Sequence, residues 1–73
     1  MNLTVGEKIR NLREEKNLTQ AMLGKELNMT QRKISYIELG KYEPGIDDIK
    51  AICVFFQISA DYLLSLPSNL IYP

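Results

Sequence analysis

The sequence predicts an all-α fold of five short helices, and three features carry that prediction. Hydroxyl residues recur where helices would be capped, and apolar residues follow them at helical spacing. An apolar residue before the cap is also matched by one at the fourth helical position three times over: Leu18-Thr19 with Leu23, Met29-Thr30 with Ile34, and Ile58-Ser59 with Leu63. That spacing is a hydrophobic staple, which fixes the angle at which the chain enters a helix. No stretch reads as a convincing strand.

Taken in order, Thr4 with Glu7 three residues on forms a capping box and opens a first helix whose Val5, Ile9 and Leu12 share one face, ending near Asn17. Thr19 caps a second helix over roughly 20–27. Asn28, in Leu27-Asn28-Met29, supplies the left-handed residue that turns it sharply into the next. Thr30 starts a third helix from about Gln31 to Leu39, stopped by Gly40. The segment KYEPG, residues 41–45, is a loop by its Pro-Gly content. Ile46, Ile49, Ile52, Cys53 and Phe56 then give a fourth apolar face, and ADYLLSL a fifth helix before Pro67. The tail SNLIYP has no periodicity.

Composition limits what such a domain does. A chain of 73 residues, 45% apolar and 25% charged, has room for one small core. Its longest apolar run, AICVFF, is far too short to cross a bilayer, and MNLTVGEKIR carries no signal-peptide core, so a cytoplasmic protein without a membrane segment is expected. One cysteine and no histidine leave no disulfide and none of the common zinc ligand sets, so no metal is expected. The missing histidine removes the usual general base, and no phosphate loop or serine elbow appears. The acids Asp47 and Asp48 follow Pro44-Gly45 and complement a helix dipole, which makes them a helix start rather than a catalytic pair. No enzyme and no cofactor are expected.

Net charge is zero, yet it is unevenly spread. From Lys8 to Lys41 eight cations face four anions, a net +4, and the remainder is net −4. Two of those cations, Arg32 and Lys33, fall with Gln31 in the first turn of the third helix. That is the positive end of the helix dipole, where a cation costs a few tenths of a kcal/mol. The uneven charge is compatible with one face meeting an anionic partner, or with a solvated mixed surface.

The stretch LTQAMLGKELNMTQRKISYIELGKYEPG, residues 18–45, resembles the phage-repressor, Cro/XRE-type helix-turn-helix family. The family opens its second helix with Leu-Thr-Gln, starts the third with Ser or Thr, and continues Ile-x-x-Ile-Glu-x-Gly-Lys to a Pro. Here Leu18-Thr19-Gln20, Thr30, Ile34, Ile37-Glu38, Gly40-Lys41 and Pro44 stand at those spacings, and the resemblance runs from about Val5 to Leu66. It implies a compact five-helix lambda-repressor-like domain over residues 1–66 with the helix-turn-helix at helices 2 and 3, followed by a tail over 67–73. The third helix would lie in the major groove of double-stranded DNA with its N-terminal side chains at base edges.

Residue by residue, the resemblance implies that Gln20 holds a phosphate and that Thr30 starts the DNA-reading helix. Gln31 matches a position that pairs with adenine, Arg32 one that grips guanine, and Lys33 and Lys41 positions suited to phosphates. Tyr36 would touch a thymine methyl or the backbone, or simply pack at the surface. Glu38 matches a position that pairs with a basic residue of the first helix, here Arg13, as a structural anchor. The chain departs from the family at Gly24, where alanine is usual, at a cost of roughly 1 kcal/mol of helix propensity. Asn17, Asn28 and Gln57 stand at turns where glycine is common, and of these glutamine tolerates the left-handed region poorly. Val54 and Phe55 replace a polar and a small residue; with Tyr62, Leu70, Ile71 and Tyr72 they are candidates for a homodimer interface.

Two functions follow. One is a sequence-specific DNA-binding transcriptional regulator, most simply a dimeric repressor reading a palindromic operator, with no small-molecule effector. The other is an antitoxin-like or partner-binding subunit whose main contacts are with protein.

Overall fold

The structure, a computed structural model, describes residues 3–67. Five helices form in that span: α1 (Val5–Glu15), α2 (Gln20–Leu27), α3 (Gln31–Glu38), α4 (Ile46–Phe56) and α5 (Ala60–Leu63). No strand is present among the described residues.

Four starts are fixed by a hydroxyl that accepts the backbone N–H three residues on. Thr4 takes that of Glu7 at 3.1 Å, Thr19 that of Met22 at 3.1 Å, Thr30 that of Lys33 at 3.0 Å and Ser59 that of Tyr62 at 3.1 Å. Losing such a cap typically costs about 1 kcal/mol. Glu7 completes the box on Thr4 by accepting the Thr4 N–H at 2.8 Å. α4 starts differently: Gly45 has no side chain to offer, and Asp48 reaches back to accept the Gly45 N–H at 3.1 Å.

The helix ends share one device. After each helix a residue turns into the left-handed region: Asn17 (φ 58), Asn28 (φ 57), Gly40 (φ 76), Gln57 (φ 56) and Ser65 (φ 58). The N–H of the following residue then bonds the carbonyl five back, as Leu18 to Arg13 (3.1 Å), Met29 to Gly24 (2.7 Å), Lys41 to Tyr36 (2.8 Å), Ile58 to Cys53 (3.1 Å) and Leu66 to Asp61 (2.8 Å). These are Schellman closures. Leu18, Met29 and Ile58 therefore do two jobs, closing one helix and stapling the next. α5 is shorter than its sequence suggests. A helix through ADYLLSL was expected, but the turn at Ser65 ends it at Leu63.

The core is Ile9 of α1, Leu23 and Leu27 of α2, Ile34 and Ile37 of α3, Ile52 and Phe56 of α4, and Leu63 of α5. Two glycines let helices approach closely enough to build it. A Cβ on Gly6 would stand 2.6 Å from the Glu38 carbonyl oxygen, and one on Gly24 would stand 2.5 Å from that of Met29. Gly24 is thus required by the turn into α3, and the alanine usual at that position has no room on this backbone.

Lys8 is the main surprise of the packing. It counts toward the basic N-terminal half, yet its side chain is buried. Its ammonium donates to the Tyr62 carbonyl at 2.6 Å and to the Ser65 hydroxyl at 2.6 Å, and lies 4.8 Å from the Tyr62 ring centroid.

Candidate nucleic-acid interface

α3 is positioned from both sides. Its inward face carries Ile34 and Ile37 into the core, and its last residue, Glu38, is buried with them. Arg13 of α1 meets Glu38 as a fork: Nε donates to Oε2 at 2.6 Å and Nη2 to Oε1 at 3.0 Å. Nη1 of the same guanidinium donates to the Leu18 carbonyl at 2.8 Å, tying the α1–α2 turn into the cluster. The hydrogen bond to Glu38 raises the Arg13 pKa above its ordinary value despite the opposing effect of burial.

Gln20 joins this cluster. Its side-chain amide donates to Glu38 Oε1 at 3.1 Å. The side chain expected to hold a phosphate therefore spends a donor on the buried carboxylate and is only partly exposed, while Thr19, Ala21 and Met22 around it are exposed. The sequence gives no hint of this, because Gln20 and Glu38 meet only through the α2–α3 packing.

The opposite end of α3 is open. Thr30, Gln31 and Arg32 are exposed, and so are Tyr36 and Lys41 further along. Thr30 accepts the Lys33 N–H and, being a hydroxyl, retains its own hydrogen to donate. Arg32 Nε donates to the Tyr36 hydroxyl at 3.2 Å, one turn on, with the guanidinium 5.4 Å from the ring centroid. Lys41 stands over the same ring at 5.9 Å. Tyr36 is thus flanked by two cations, each within the range of a cation–π contact. The turn that brings Lys41 there is held by the N–H groups of Lys41 and Tyr42, both bonded to the Tyr36 carbonyl.

Lys33 does not stand free. Its ammonium bonds Oδ1 of Asp48 at 3.0 Å, across the gap between α3 and α4, and lies 5.2 Å from the Tyr42 ring centroid. The hydrogen bond to Asp48 raises the Lys33 pKa above its ordinary value. Burial pushes the Asp48 carboxyl up, but the bonds from Lys33 and from the Gly45 N–H, together with the lysine charge, hold it below the ordinary aspartate range. This corrects the electrostatic reading of the first turn. The repulsion between Lys33 and the helix dipole is already offset inside the fold, and of the two first-turn cations Arg32 alone has no acidic partner among the described contacts.

The candidate dimer residues separate. Val54 is 77% exposed and Tyr62 is exposed beneath Lys8, whereas Phe55 is half-buried against the core and meets Phe56 edge-on at 5.0 Å between centroids. Phe55 is therefore not a free apolar surface. Leu70, Ile71 and Tyr72 lie outside the described residues. Ile46, expected on the apolar face of the fourth helix, is instead 77% exposed, because at the first position of α4 it precedes the turn that packs on the core, and Leu39 after α3 is likewise open at 62%. Among the described residues no acidic, cysteine or histidine group is arranged to hold a metal, and no helix is long and apolar enough to cross a membrane.

Three comparisons bear on this geometry. Residues 6–68 match the family model described as a helix-turn-helix domain. The chain is 42% identical over 59 residues to the HTH-type transcriptional activator BcrR of Enterococcus faecalis, covering 81% of this chain and 29% of that protein. It is 32% identical over 60 residues to the immunity repressor protein of Bacillus phage phi105, covering 80% of this chain and 42% of that one. It thus spans less than half the length of these curated relatives. The crystal structure of the P22 c2 repressor in complex with a synthetic operator superposes with a TM-score of 0.83 at 33% identity, over 90% of this chain and all of that one.

Proposed function

This chain belongs to the helix-turn-helix domain family in its phage-repressor, Cro/XRE form, and on that premise we propose that it is a sequence-specific DNA-binding transcriptional regulator. One observation carries the reading. α3 is clamped at its buried end by Arg13 and Glu38 while Gln31, Arg32 and Tyr36 stand exposed along its first turns. A rigid helix with polar and cationic side chains at its free N-terminal end suits the major groove. Gln31 and Arg32 are proposed to read base edges, with Thr30, Tyr36 and Lys41 beside them on sugar and phosphate.

The names of the phage immunity repressor and of the P22 c2 repressor support repression as the proposed outcome, by a homodimer on a palindromic site. Val54 and Tyr62 are the described residues proposed for the dimer contact. The name of the Enterococcus relative supports a second outcome, activation, through a surface that touches polymerase. Titration of random duplex DNA at low and moderate salt tests the core of the proposal, since phosphate neutralisation gives a steep salt dependence. Selection of bound sites from a random pool then yields the operator and its symmetry. Flat salt dependence together with no enriched sequence would overturn the reading.

A further inference from the structure

Asp48 sits in an unusual place for a protein expected to bind a polyanion. Its carboxylate is held at the start of α4, with Oδ2 taking the Gly45 N–H at 3.1 Å and Oδ1 taking the Lys33 ammonium at 3.0 Å. The Asp48 side chain is 15% exposed and that of Lys33 is 32% exposed. The acid is thus fixed by its own helix while the lysine at the rim is the mobile partner. Lys33 stands in the first turn of α3, beside the side chains proposed to read DNA.

The geometry points to Asp48 as an internal counterion that withholds Lys33 from the DNA backbone and so lowers affinity for random sequence. The inference deepens the proposed function and rests on it. A surface lysine that meets a phosphate releases a condensed cation, which is the origin of salt-dependent affinity. A lysine already neutralised by a carboxylate releases none. To reach a phosphate it must also leave Asp48 behind, and the bared carboxylate then faces the polyanion. Neighbouring Asp47 carries the same charge on the same turn and is exposed, yet it has no contact with Lys33. It therefore separates the specific effect from net charge.

The test is a cycle of four full-length proteins besides the wild type: Asp48→Asn, Asp47→Asn, Lys33→Met and the double variant Asp48→Asn with Lys33→Met. Asparagine keeps an oxygen for the Gly45 N–H, and circular dichroism checks that each variant is folded. Binding to random duplex is titrated across a salt series. Asp48→Asn is expected to bind roughly tenfold more tightly at low salt, with log–log salt dependence steeper by about one unit per subunit. Asp47→Asn is expected to gain clearly less. Lys33→Met alone should change the slope by well under one unit, and in the double variant the gain should disappear. Equal gains from the two asparagine variants, or a full unit lost on Lys33→Met alone, would overturn the inference. A wild type with no salt-dependent binding would instead overturn the DNA-binding reading beneath it.

Discussion

Helix α3 has an ion pair at each end, and the two are made from the same chemistry in opposite settings. At its C-terminal end Glu38, 3% exposed, takes both prongs of the Arg13 guanidinium and the Gln20 amide. At its N-terminal end Lys33 gives a single bond to Asp48 at the rim. The first pair is desolvated, bidentate and shared among α1, α2 and α3, so neither partner has another place to go. The second is partly buried, with its lysine 32% exposed at the rim, and joins only α3 to α4, so its lysine has an alternative as soon as another anion approaches. A buried pair is costly to break because one charge is left stranded, whereas an exposed pair is worth a few tenths of a kcal/mol and exchanges readily. One end of the helix is a fixture and the other a contact that can be traded.

The largest expected effect comes from breaking the fixture. Glu38→Ala should destabilise the domain by roughly 3 to 5 kcal/mol, since it strands Arg13 and frees the Gln20 amide in a closed site. Urea unfolding followed by circular dichroism measures this, and a loss under about 1 kcal/mol would put the pair in the same class as the one at the rim. Next is Arg32→Ala at the open end. It should cost about 1 to 3 kcal/mol in binding to a selected site and relax preference at one base pair per half-site. Because Arg32 leans only on Tyr36, its removal should leave the unfolding midpoint nearly unchanged, the reverse of Glu38→Ala.

A third variant supplies a scale free of charge. Gln57 stands at φ 56 after α4, and Gln57→Gly should stabilise by about 0.5 to 1 kcal/mol through backbone conformation alone. A lowered melting temperature would contradict the strain assigned there. The smallest effect is the pH response of the exchangeable pair. The Asp48 carboxyl is depressed in the folded state, so its stabilisation is complete at neutral pH. It fades as the pH falls through the ordinary aspartate range and is lost below the folded value. The difference in melting temperature between wild type and Asp48→Asn, about 0.2 to 1 kcal/mol when converted, should therefore shrink to nothing on acidification.

Which parts were legible follows the distance over which each is decided. The caps at Thr4, Thr19, Thr30 and Ser59 act over three residues, and the staples and left-handed turns at Asn17, Asn28 and Gln57 act over five or six, so one short window of sequence contains both partners. The end of α5 was misjudged because Ser65 is a poor advertisement for a left-handed turn. Contacts between helices were harder. Nothing local says that Asp48 faces Lys33, that the Gln20 amide turns inward to Glu38, or that Gly24 lies under the Met29 carbonyl. The family motif marks Arg13 and Glu38 as partners 25 residues apart, and the structure brings them together. It is silent on Asp48, which reads in sequence only as a good first-turn acid.

The Lys8 ammonium ties the first helix to the end of the described domain, bonding groups 54 and 57 positions further along the sequence. Contacts at such separation form late, because the chain between them must first be gathered. α5 is little more than a single turn, with Leu63 as its one fully buried side chain, so its attachment rests on that residue and on Lys8. With so little holding it, α5 is expected to open in native-state hydrogen exchange before α2 and α3 do. When it does, a charged amine that was inside the protein meets solvent, and resealing requires that amine to shed its water again. The last turn to dock is in this sense also the latch of the first helix.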